Sequence, residues 1–269
     1  MRIIKKLSYG LFSLLFLMGC AKRVSFPGGQ WIDLSHDFSS ETLYWPTAET
    51  FQHDTVFSGI TDEGFYYQAF NFSGAEHGGT HIDAPVHFAE GKWTVDEIPL
   101  DRLIGPAVVM DVTGKALADR DYQVSVEDIV SWESEHGQLP GQSILFLRTG
   151  YGRYWPDAVN YMGTDRRGAG AVAELHFPGL HPGAARWLVE NRNIRAIGID
   201  TPSIDFGQSE LFETHRVLFE KNIPAFENVA NLDQLPATGA LVLALPMKIK
   251  GGSGGPLRLA ALVPGNGDD

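Results

Sequence analysis

Four side chains able to bind a metal or move a proton crowd into one short stretch, His77-Gly78-Gly79-Thr80-His81-Ile82-Asp83-Ala84-Pro85-Val86-His87. No other segment constrains the fold as strongly. His77, His81, Asp83 and His87 are separated by even numbers of residues, and in an extended chain even spacing puts side chains on one face. A helix would keep His77 and His81 together but would carry Asp83 about 240° around from His77. Gly78, Gly79 and Pro85 oppose a helix in any case. The segment is therefore expected to be a strand or extended loop that gathers His77, His81 and Asp83.

Imidazole combined with carboxylate suits zinc, manganese or ferrous iron. Two histidines and one carboxylate leave coordination positions for water and substrate, the pattern of a catalytic site rather than a structural one. The plainer alternative is a group of hydrogen-bonded side chains with no ion, and the cost of burying such groups unpaired argues against it. A metal- or ligand-binding envelope lipoprotein without turnover is the rival from another class. Such a protein has no use for a fourth, non-ligating imidazole, so His87 favours catalysis.

The start of the chain is a separate object. Arg2, Lys5 and Lys6 precede the apolar run Leu7 to Met18, which ends at Leu17-Met18-Gly19-Cys20. A basic start, a short apolar core and small residues at a cleavage point describe a secretory signal. Cys20 is the only cysteine, and it stands where a bacterial lipoprotein signal of the lipobox type, which residues 1–20 resemble, carries its lipid. The expected location is the cell envelope, facing the periplasm, with membrane contact through the anchor alone. Loss of the three positive charges would take the net charge from -12 to -15. That acidity excludes nucleic acid as a partner, which needs a basic footprint.

Residues 21–30 read as a linker, and residues 31–265 as one α/β domain with a mixed β-sheet flanked by helices. Tyr66 to Ser73, Ala107 to Val112, Ser143 to Arg148, Ile194 to Ile199, Ala240 to Leu245 and Leu257 to Leu262 are the strand candidates. A helix is expected to open at Ser125 and stop at Gly137, with others behind Pro182 and over Thr214 to Lys221. Gly150 to Gly179 is rich in Gly, Tyr, Trp and Pro; so long an irregular stretch is usually a binding loop or lid.

The motif His77-Gly78-Gly79-Thr80-His81-Ile82-Asp83-Ala84-Pro85-Val86-His87-Phe88 resembles the signature of the metal-dependent cyclase family, His-x-Gly-Thr-His-x-Asp-x-Pro-x-His, at every fixed position. That family includes bacterial kynurenine formamidases and isatin hydrolases. The likeness continues through Ile32-Asp33-Leu34-Ser35, Gly198 to Asp205, His215 with Ile223 to Asn228, and Pro246 to Gly254. It implies a swivelling β/β/α-like fold and a site holding one or two divalent ions, Mn2+ or Zn2+. His77, His81 and Asp83 would hold the first ion. Asp83, His215 and Glu227 would hold the second, and His87 would be the acid–base. Taken alone, His215 could equally be an exposed helix histidine and Glu227 a solvated carboxylate. A homodimer is the implied assembly.

The resemblance implies hydrolysis of a C–N amide bond in an aromatic or cyclic amide, either an isatin-type lactam or an arylformamide such as N-formylkynurenine. The metal would activate water, and His87 would take a proton and return it to the leaving nitrogen. Trp45 and Phe72 are the expected substrate contacts. Phe38, Phe65, Tyr66, Trp155, Phe177 and Phe206 are available to a pocket but are equally core residues. His36 and His53 read as ordinary surface histidines.

Overall fold

The computed structural model of the chain describes residues 28–265; Cys20 and the signal lie outside them. Twelve strands appear in this range: β1 (Gly29–Asp33), β2 (Gln52–Ile60), β3 (Tyr66–Ser73), β4 (His81–Asp83), β5 (Ile104–Asp111), β6 (Gln123–Val124), β7 (Ile144–Arg148), β8 (Gly179–Leu180), β9 (Ala196–Ile199), β10 (Ala225–Glu227), β11 (Thr238–Pro246) and β12 (Gly254–Pro264). The α-helices are α1 (Leu100–Leu103), α2 (Thr113–Ala118), α3 (Val126–His136), α4 (Ala158–Met162), α5 (Pro182–Asn191) and α6 (Glu213–Phe219). The first strand starts at Gly29, inside the stretch expected as linker, because Gly29 and Gln30 pair with Pro264 and Val263.

The main sheet runs β1-β12-β11-β5-β7-β9-β10-β4, and β4 also pairs with β12. That last pairing closes the sheet on itself into a barrel-like body and leaves β4 bonded on both edges, so no pairing edge stands open there. β5, β7, β9 and β10 are parallel, while β11, β12 and β4 join antiparallel. The parallel strands are apolar on both faces, as strands covered on both sides must be. Ala107, Val109, Ile144, Phe146, Ile82 and Phe226 point into the closed sheet. Val108, Met110, Leu145, Leu147, Ile197 and Ile199 point outward against Ile129 and Trp132 of α3, Leu188 of α5 and Leu218 of α6.

The helix predicted from Ser125 is α3. The Ser125 side chain accepts from the Asp128 amide and Asp128 accepts from the Ser125 amide, which satisfies two otherwise orphan donors. Gly137 ends it with φ +86°. The 150–179 stretch, expected as an irregular binding loop or lid, is packed on itself. Short helical turns there collect Tyr151, Tyr161, Met162, Leu175 and Phe177 into an apolar cluster of their own, with Trp45 and Trp155 packed on it. It is a packed wall, and its cohesion comes from aromatic burial that composition alone does not reveal.

Candidate metal centre

Register assembles the heart of the site. β4 and β10 are antiparallel neighbours in which His81 stands opposite Glu227 and Ile82 opposite Phe226. Directly opposed residues share a face, and His81 and Asp83 share one because they are two apart. His81, Asp83 and Glu227 therefore project together from the outer face, while Ile82 and Phe226 fill the interior. α6 packs on the same side and delivers His215. All four polar side chains are 2–3% exposed.

The extended geometry expected for the whole motif holds only for His81 to Asp83. Gly79 turns the chain before it with φ +57°, a conformation that strains any residue with a Cβ. Pro85 to His87 form a single 3-10 turn after it. His77 and His87 converge because the chain bends at both ends, and their rings stack at 3.9 Å.

The donor atoms face one another. His81 Nε2 lies 3.0 Å from Asp83 Oδ1 and 3.4 Å from Glu227 Oε2. His215 Nε2 lies 3.1 Å from Asp83 Oδ2 and 3.2 Å from Glu227 Oε1. His77 Nδ1 lies 2.7 Å from Asp83 Oδ1. Asp83 thus offers one oxygen toward His77 and His81 and the other toward His215. Two sets, His81 with Asp83 and Glu227, and His77 with Asp83 and His87, each have ligand atoms within 4.8 Å of one another. Buried imidazoles and carboxylates in mutual contact fit a divalent cation, which neutralises the carboxylates and takes the nitrogen lone pairs. His87 lies within ligating reach, so distance alone allows it to be a ligand as well as an acid–base.

Two of these rings are oriented from behind. His81 Nδ1 bonds the Gly79 carbonyl oxygen at 2.9 Å. His215 Nδ1 sits 2.5 Å from Asp205 Oδ2, and Asp205 also accepts from the amides of Thr214 and His215. Both rings are held so that Nε2 faces the centre, an arrangement that fixes tautomer and raises ligand basicity. Asp205 stands in the Ile204-Asp205 turn quoted for the resemblance, but nothing in the sequence marked it as a support for His215.

Burial would raise the pKa of Asp83, but His77, His215 and His81 hold it well below the usual carboxylate range. Burial and the charge of Asp83 push Glu227 up. Burial opposes protonation of His81 and His215, yet the facing carboxylates raise both pKa values, that of His215 well above the ordinary imidazole value. For His87 burial dominates over the pull of Asp83 and lowers it to about 4. Burial thus holds His87 toward its neutral form, and its ring makes no hydrogen bond to another described residue.

The cavity above these groups is lined by Leu43, Tyr44, Trp45, Phe88, Met162 and Phe212, with His77, His87, His215 and Glu227 at its floor. Trp45, one expected substrate contact, lines this cavity. Phe72, the other, is 60% exposed and lines a neighbouring groove with Phe38, Phe51, Met247 and Ile249. Among the described residues its strand, β3, pairs with β2 alone. Phe212 was missed. It precedes α6 with φ +47°, uncommon for a bulky residue, and its ring packs 5.1 Å from Phe88 and 6.1 Å from Trp45. His36 stacks on Trp155 at 4.2 Å away from the cavity lining, and His53 lies on β2.

Comparison with known proteins identifies the family. Residues 32–206 match the family described as "Putative cyclase". An isatin hydrolase of Roseibium aggregatum is 34% identical over 70% of this chain and 72% of its own length. A kynurenine formamidase of Bacillus cereus is 30% identical over 85% of this chain and 95% of its own. The solved structure of isatin hydrolase A from Labrenzia aggregata superposes with a TM-score of 0.79 at 34% identity, covering 88% of this chain and 94% of that one. By motif, fold and likeness, the chain belongs to the cyclase family of metal-dependent hydrolases.

Proposed function

We infer that this chain is a metal-dependent amide hydrolase that opens the C–N bond of an aromatic or cyclic amide, an isatin-type lactam first and an arylformamide such as N-formylkynurenine second. The observation that carries the reading is the buried set of His81, Asp83, His215 and Glu227 beneath a cavity walled by Trp45, Phe88 and Phe212. Aromatic walls over a polar floor suit a flat ring with one carbonyl directed downward. Likeness to an isatin hydrolase across most of both chains favours the lactam.

A divalent ion, Mn2+ or Zn2+, held by His77, His81, Asp83, His215 and Glu227 would supply a water of lowered pKa and a Lewis acid for the carbonyl. The chain's own residues do the rest. Asp205 and the Gly79 carbonyl keep the His215 and His81 rings turned inward. Trp45 and Phe212 orient the substrate ring and exclude water. His87, neutral at working pH, accepts a proton from the attacking water at a ring nitrogen and returns it to the leaving nitrogen, which pulls the reaction past the tetrahedral stage.

The direct test is hydrolysis of isatin, simple lactams and N-formylkynurenine by the chain loaded with Zn2+ and with Mn2+. Turnover of isatin above N-formylkynurenine is expected. Turnover of neither class, with metal bound, would sink the reading. Two further proposals concern partners. The aromatic side chains standing open on the β2–β3 hairpin support pairing with a second copy of the chain, checked by light scattering. The Leu-Met-Gly-Cys signal supports a lipid anchor on Cys20, checked by membrane fractionation of Cys20→Ser, which should leave the protein in the soluble fraction.

A further inference from the structure

The remaining imidazole of the cluster is held in the opposite sense from its neighbours. His77 turns Nδ1 inward, 2.7 Å from Asp83 Oδ1, and Nε2 outward, 2.8 Å from Ser253 Oγ. Ser253 lies 176 residues away in the chain, in the glycine-rich run Gly251-Gly252-Ser253-Gly254-Gly255 that leads into β12. Ser253 Oγ is 2.7 Å from Glu76 Oε2, and the same carboxylate oxygen accepts the amides of Ser253 at 2.9 Å and Gly254 at 3.3 Å. Glu76 therefore fastens the run over the His77 ring. Close approach requires glycine here: a Cβ on Gly254 would lie 2.6 Å from His77 Cε1 and 2.5 Å from the Ile82 carbonyl oxygen.

Proton accounting gives the chain of bonds a direction. A carboxylate only accepts, and a hydroxyl has one proton to give. Ser253 gives its proton to Glu76, so its oxygen is left to accept from His77. His77 then carries a proton on Nε2, and in its neutral form it presents the Nδ1 lone pair to the centre. A lone pair and a carboxylate oxygen facing each other call for a shared cation, a proton in the metal-free chain or a metal in its place. We propose that Glu76 and Ser253 are positioning residues that lock His77 as the Nε2–H tautomer, so that it ligates the metal through Nδ1 while His81 and His215 ligate through Nε2.

This proposal rests on His77 being a ligand. The experiment uses the full chain loaded with Zn2+ and labelled with 15N at histidine. Long-range proton–nitrogen spectra should show His81 and His215 protonated at Nδ1 and one further zinc-bound ring protonated at Nε2. Ser253→Ala should shift that ring alone and weaken zinc binding, by titration, by about 10–100-fold, and Ser253→Thr should restore much of the loss. Every zinc-bound ring protonated at Nδ1 in the unmodified chain would overturn the proposal, whether or not the variants fold. So would a folded Ser253→Ala that binds zinc within about twofold of the unmodified chain. Failure of the unmodified chain to bind zinc or manganese would instead break the reading of the metal centre itself.

Discussion

Two neighbouring segments of this chain meet opposite fates. β2 and β3 are long, aromatic and pair only with each other, and nearly all of their residues are exposed. β4 has three residues, two of them ionisable, and is entirely buried. Strand propensity favours the first, with Phe57, Tyr66, Tyr67, Phe70 and Phe72 in or beside the ladder. Pairing decides for the second, because β4 is bonded on one edge to β10 and on the other to β12. Burial followed the closure of the sheet, and composition pointed elsewhere. The same two pairings created the site: β10 brings Glu227 opposite His81, and closure on β12 lays Gly254 against His77.

The comparison can be tested hardest where the buried strand carries chemistry. His81→Ala is expected to abolish both metal content and turnover, because it removes the imidazole that stands between Asp83 and Glu227; stoichiometric metal by elemental analysis would refute the assignment. His87→Ala, one turn beyond the strand, should keep its metal and lose turnover by about 10²–10⁴-fold, the usual range for a general acid–base. Loss of metal in that variant would make His87 a ligand instead.

The ionisable burial also predicts opposite pH trends. Carboxylates raise the pKa of His81 and His215 in the metal-free chain, so a metal must displace protons to bind. Affinity should rise with pH from the ordinary imidazole range upward and level off above the raised values. The stability that those protonated rings contribute without metal is fully present below the ordinary imidazole pKa and is lost as pH rises through the raised one. Calorimetry in buffers of differing ionisation enthalpy should detect proton release on binding; its absence would break the account. The smallest effects are apolar. Ile82→Ala should cost about 2–5 kcal/mol in denaturant unfolding, whereas Ile60→Ser on the hairpin should stay within about 0.5 kcal/mol for an uncovered surface. A larger loss at Ile60, with a mass change in light scattering, would show that a second copy covers the hairpin.

Much of this was legible beforehand, in ways that follow from local physics. Ser125 and Gly137 bound α3 because caps act within one turn of the helix. His77, His81, Asp83 and His87 announced themselves because their spacing is a short-range property. The surroundings of Phe72 were not legible, since an aromatic in a strand reads alike whether its neighbour is a cavity or solvent. Phe212, Asp205, Glu76 and Ser253 were invisible as site residues. Each acts on a group brought near it only by the fold, and no spacing encodes that.

The sequence by itself determined which donors were available and that a helix could not hold them, because backbone geometry alone forbids it. It also determined the family, through fixed positions in one short motif. Only the tertiary structure decided that His215 and Glu227 are buried ligand candidates and not surface groups, that Phe72 lies outside the cavity, and which nitrogen of each imidazole faces the centre. Those outcomes depend on sheet register and closure, which join residues more than a hundred positions apart, and long-range pairing leaves no periodic trace in the chain.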